Sequence, residues 1–306
     1  MATVPYPMLA ALFLLLAAAP GFDETFRSGL LALQRGDLKA AESALSQASK
    51  LEPGDGRVWV ALAQVRRRLG DGAGSEAAAG QAAKTAAGNR PLLLALRTYY
   101  FEAAKPLLQS EHFAEAASLL ETARSRVPGD PQLELALGVA CYGLRRFDDA
   151  AAAFLRTIDL DPAIEQPYVF LGRFPDQVPD RLPEIIRRFA AYEQAHPDSH
   201  LGYFLHAKAL DAEGADAETA LKLLEKAESR NSADAQIQFE LGMVLDRLRR
   251  FGDASRHYER AAQLDPSDAP TQYRLARVYG RLGREEEARK AREAHDRLTR
   301  SQEVVR

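Results

Sequence analysis

The sequence predicts an all-α chain built as a row of helix pairs, on three observations. Across residues 235–268, Ile237, Leu241, Val244, Leu245 and Leu248 fall on one face of a first helix, and Ala254, Tyr258, Ala261 and Leu264 on one face of a second. Arg249 to Asp253 break the pattern between them, and Pro266 stops the second helix, because the residue before a proline is disfavoured in helical geometry. The same arrangement returns at a period of about 34 residues, with Leu275, Ala276, Tyr279 and Ala288 one step on and Leu137, Gly138, Cys141, Ala150, Phe154 and Pro162 earlier. A helix pair this short cannot bury both apolar faces alone, so it needs copies of itself on either side.

Taken in order, residues 1–21 stand apart. Residues 8–19, MLAALFLLLAAA, are an unbroken apolar run, too short to span a bilayer comfortably and suited to the core of a secretory signal. The expectation is a cleaved export signal, with a periplasmic or secreted protein as the result and an uncleaved inner-membrane anchor as the alternative. Helix pairs are then expected at 22–55, 56–89, 90–130, 131–164, 165–198, 199–234, 235–268 and 269–302, followed by a frayed tail at 303–306. In the second pair the second helix, SEAAAGQAAKTAAG, offers little area to bury, and Gly88 to Pro91 read as a hinge. The third pair is long, and Pro106 lies inside its first helix, where a proline should kink it. In the fifth pair Pro175, Pro179 and Pro183 should end the first helix near Phe174 and leave a proline-rich loop. The last helix is charged all round, as a solenoid's polar end must be.

Leu241-Gly242, Leu245, Ala254, Tyr258, Ala261 and Pro266 stand at the spacing of the tetratricopeptide pattern, and the chain resembles the tetratricopeptide repeat (TPR) family from about residue 22 to 300. The resemblance implies a right-handed α-α superhelical solenoid of about eight TPR helix pairs, working as a non-catalytic scaffold or adaptor. It further implies that the first helices line a concave groove that binds a protein or peptide segment. On that basis the groove residues are Arg57, Gln64, Phe101, Lys105, Tyr142, Arg173, Tyr203, Phe239, Arg247, Tyr273, Arg277 and Arg281. The family's lysine and asparagine set for a peptide's terminal carboxylate is absent, since Phe26, Leu30 and Gln64 occupy those places. Arg247, Arg274, Arg277 and Arg281 suggest a basic patch at the C-terminal end of the groove, with Arg277 and Arg281 one turn apart.

Composition narrows the remaining classes. A net charge of -3 gives no basic excess pointing to nucleic acid, and the single cysteine, Cys141, reads as a small buried hydrophobe. No cofactor is implied, nor a metal. The rival catalytic reading rests on His196, His200 and His206, which lie close in sequence but lack the helical spacing of a zinc motif. His112, His257 and His295 read as solvated. A subunit of an outer-membrane or polysaccharide export assembly is a further alternative, as is self-association through the groove or through the end opened by Phe22.

Overall fold

The computed structural model describes residues 21–214 and 216–304. The apolar segment expected as an export signal lies, apart from Gly21, outside the described residues. Sixteen α-helices form eight successive pairs, and there is no strand among the described residues. They divide into two compact units, residues 1–164 and 165–306. No described helix is long and apolar enough to cross a membrane.

The first unit holds α1 (Phe22–Arg35), α2 (Leu38–Leu51), α3 (Gly56–Arg68), α4 (Gly72–Lys84), α5 (Arg90–Gln109), α6 (Phe113–Arg126), α7 (Pro131–Gly143) and α8 (Phe147–Leu160). Each helix packs on the next, and the first helices also touch in sequence, α1 on α3, α3 on α5 and α5 on α7. Their starts are written in the chain. Asp55, Asn89 and Asp130 each accept a hydrogen bond from a backbone N–H of the first turn of the helix they open, satisfying a donor the helix cannot. Phe22, expected at an open end, is fully buried and stacks on Phe26 at 5.6 Å.

Two of the irregularities here have physical answers. Pro106 falls in the last turn of α5. Lacking an N–H, it leaves the Glu102 carbonyl without its helical donor, and the Arg67 guanidinium of α3 donates to that oxygen at 2.9 Å instead. The alanine- and glycine-rich α4 is covered by larger neighbours. Tyr99 and Tyr100 of α5 are buried against it, with Ser75 bonding both the Tyr99 hydroxyl and the Ala63 carbonyl at 2.7 Å. Arg126 of α6 lies over Gly80, where an added Cβ would meet its guanidinium at 3.2 Å, and pairs with Glu76 at 2.6 Å.

The second unit holds α9 (Gln166–Leu171), two 3-10 turns at Pro175–Gln177 and Pro179–Arg181, α10 (Leu182–Ala195), α11 (His200–Glu213), α12 (Ala217–Arg230), α13 (Ala235–Arg247), α14 (Phe251–Leu264), α15 (Ala269–Arg281) and α16 (Glu285–Val304). The prolines end α9 at Leu171, earlier than Phe174. The stretch between α9 and α10 is folded rather than loose, for Phe174, Pro175 and Val178 are buried and the first 3-10 turn packs on α11. Ser199, Asp234 and Asp268 cap the first helices α11, α13 and α15 in the manner of the first unit. The helix α16 runs to Val304, so the tail expected to fray from residue 303 is helical at its first two positions.

The crossings of α7 on α8 and of α13 on α14 each depend on a glycine. An added Cβ at Gly242 of α13 would lie 2.6 Å from the Tyr258 ring of α14, and one at Gly138 would lie 2.5 Å from Phe154. Both rings are fully buried, so the glycines set how closely the two helices approach.

Candidate functional site

In the second unit the first helices are tied to one another by ion pairs spaced one repeat apart. Lys208 of α11 meets Glu240 of α13 at 3.3 Å. The Asp211 carboxylate of α11 meets the Arg247 guanidinium of α13, and Asp246 of α13 meets Arg281 of α15. Burial holds the Glu240 carboxyl above its ordinary range, against the pull of Lys208, and Asp211 and Asp176 reinforce the rise. Asp176 sits on the 3-10 turn packed against α11.

The C-terminal side opens as a cleft of about 680 Å³, lined by Asp211, Met243, Asp246, Arg247, Arg249, Phe251, Arg274 and Arg281. Four arginines thus face two aspartates. Two of the arginines are committed: Arg247 to Asp211, and Arg281 to Asp246 with its guanidinium 4.9 Å over the Phe251 ring. The other two, Arg249 and Arg274, meet no carboxylate among the described residues.

Arg249 is held in an unusual place. Its backbone has φ 59, the left-handed region, and its N–H bonds the Asp246 carbonyl at 3.0 Å in the turn that closes α13. The equivalent turns after α1, α3, α11 and α15 use Gly36, Gly70, Gly214 and Gly283 there. A side chain in that conformation costs roughly 1–2 kcal/mol. Arg145 and Glu111 bear the same cost in the first unit, so the strain alone does not mark a site.

Tyr258 is the central buried residue of α14. It is fully buried, its ring rests on Gly242 and lies 5.8 Å from Phe239, and its hydroxyl has no hydrogen-bond partner. Burial drives its phenol well above the ordinary value, and the charges that bear on it are Arg274, Asp246, Glu240 and Arg277, all on the first helices α13 and α15.

Of the residues expected to line the groove, Arg247 and Arg281 line this cleft. Three of the aromatics turn instead toward their own second helix. Tyr203 is buried under Lys226 and Arg230, whose charged groups lie 5.3 and 4.4 Å from its ring centroid. Phe239 packs on Tyr258, and Tyr273 lies 5.8 Å from His295 yet remains 48% exposed. Arg277 lies over the Tyr273 ring at 5.8 Å while Arg281 turns to Asp246, so the two do not converge on one point. Arg173 lies over Phe170 at 5.1 Å. In the first unit Arg57 is fixed by Asp55 and lies over Phe26, Tyr142 meets Phe147 edge-on at 6.0 Å, Gln64 and Phe101 are half-buried, and Lys105 is exposed.

The three histidines of the catalytic rival have three separate neighbours. His206 bonds Glu193 at 2.6 Å, His200 lies 3.9 Å from Asp234, and His196 stacks on Tyr192. No group of three His, Cys, Asp or Glu among the described residues is placed to hold a metal ion. His257, expected in solvent, is half-buried and hydrogen-bonded to Gln238 at 2.8 Å.

Comparison with known proteins agrees with this build. Tetratricopeptide repeat models match residues 26–91, 101–163, 235–268 and 269–293. The matches pass over 164–234, where the fifth pair is broken by prolines; the sixth pair, expected to carry extra residues in its turn, has the same three between α11 and α12 as lie between α13 and α14. No curated protein sequence matches significantly. Among solved structures, MamA residues 41 to the end from Desulfovibrio magneticus RS-1 is 19% identical, covering 56% of this chain and 96% of that one at a TM-score of 0.48. TTC0263, a thermophilic TPR protein of Thermus thermophilus, is 24% identical, covering 53% and 88% at 0.46. A MamA structure titled MSR-1 C2 is 21% identical, covering 67% and 98% at 0.41. The repeat matches span more than half of the sequence, and the chain belongs to the tetratricopeptide repeat family.

Proposed function

We propose that the protein is a non-catalytic scaffold that holds a segment of a partner protein in the cleft formed by α11, α13 and α15. The observation that carries this reading is the cleft itself. It joins three successive first helices, exposes Met243 and Phe251 as apolar ground, and surrounds them with charged groups that fix direction. The apolar run at residues 8–19 supports placing this work in a bacterial envelope, after export.

The test is affinity capture from the envelope fraction, comparing wild type with a variant carrying Arg249→Glu and Arg274→Glu. Neither substitution breaks an ion pair, and circular dichroism would establish that the variant is folded. Capture of one discrete protein by wild type and its loss from the variant is the expected result. Equal capture by both would move the binding surface away from this cleft. Amino-terminal sequencing of the exported protein tests the placement, with a new terminus near Gly21 expected.

A further inference from the structure

We infer that the cleft recognises an acidic stretch of the partner, one carboxylate side chain being held at Arg274 and a second at Arg249. This rests on the reading of the cleft as a protein-binding site and adds the chemistry of what fills it.

Two features converge on a carboxylate. The first is charge. Arg247 and Arg281 are already balanced by Asp211 and Asp246, while Arg249 and Arg274 face the cleft with no anion among the described residues. A guanidinium presents paired N–H donors in a plane, a geometry that a carboxylate fits and a neutral amide does not. The second is the ground between. Met243 and Phe251 separate the arginines with apolar surface, which favours acidic residues interspersed with aliphatic ones over a bare polyanion.

The test uses the full chain and a fluorescently labelled peptide alternating glutamate with leucine and serine, against the same peptide with every glutamate replaced by glutamine. Fluorescence anisotropy should show binding of the first that weakens with salt, and little of the second. Arg274→Gln should weaken binding about tenfold or more, the scale of a lost charged hydrogen bond, and Arg249→Gln by less. Equal binding of the glutamate and glutamine peptides, or an Arg274→Gln variant that binds like wild type, overturns the inference. So does a sulfated polysaccharide that competes more strongly than the acidic peptide at equal charge. If acidic peptides fail while capture of a partner still depends on residues 249 and 274, the inference alone falls; if both fail, the reading of the cleft falls with it.

Discussion

Replacing Gly242 by alanine isolates the packing that sets the crossing of α13 and α14. The new methyl carbon would lie 2.6 Å from two carbons of the Tyr258 ring and 2.9 Å from a third, where ordinary contact begins at 3.4 Å. The ring must withdraw by most of an ångström, but it is fully buried, with Phe239 beside it. Overpacking of this kind costs about 1–3 kcal/mol. Against it stands the gain of alanine over glycine within a helix, roughly 1 kcal/mol. The comparison that removes this second term is Gly280→Ala in α15, where an added Cβ meets nothing within 4 Å. Gly280→Ala should stabilise by up to about 1 kcal/mol, whereas Gly242→Ala should leave the protein less stable than wild type. The two variants should differ by about 1–3 kcal/mol in urea unfolding followed by circular dichroism. Equal stability of the two, or a Gly242→Ala variant above wild type, would refute the account of how the pair is held.

Three further outcomes rest on particular contacts. Arg67→Ala should cost about 0.5–1.5 kcal/mol by removing the donor to the Glu102 carbonyl, and much less in a Pro106→Ala background, where the helix regains its own N–H; a double-mutant cycle in urea reads the difference. Arg249→Gly should stabilise by up to about 1 kcal/mol by relieving the left-handed backbone, while weakening the acidic probe, so that stability and binding move in opposite directions in melting and anisotropy measurements. Burial holds His257 below its ordinary value of 6.5, with Arg256 assisting and Glu228, Asp253 and Glu225 opposing. The unfolded chain therefore takes up the proton more readily, so the stability contributed by neutral His257 is complete above that ordinary value and is lost as pH falls below it. His257→Asn should flatten this part of the stability profile between neutral pH and pH values below 6.5, measured by thermal melts.

The repeat was legible because its signals are local and redundant. Small residues at Gly138 and Gly242, facing rings at Phe154 and Tyr258, and the aspartates that open α7, α13 and α15 all recur at one period. The fifth pair was legible as a break but not in its form. Prolines say where a helix stops, and they do not say that Pro175 and Val178 will be buried and hold a turn against α11.

The site was harder to read. An aromatic recurs on the first helices at Tyr203, Phe239 and Tyr273, and periodicity could not show that each turns toward its own second helix. The basic patch was visible, but half of it is neutralised across repeats. The signal was present all the same, an acid followed by an arginine about one repeat later: Asp211 with Arg247, and Asp246 with Arg281. Tyr258 read as a repeat position and nothing more, since only the three-dimensional packing shows a hydroxyl without a partner.

The central claim is that the cleft of α11, α13 and α15 holds a partner segment. Site-specific photo-crosslinking tests it most directly, with a benzophenone amino acid at Met243 in the cleft and at Arg256 or Arg260, exposed on α14, as the comparison. The account predicts one discrete product from Met243, lost on adding the acidic peptide, and none from α14. Products from α14 alone, or a Met243 product indifferent to the peptide, would contradict it.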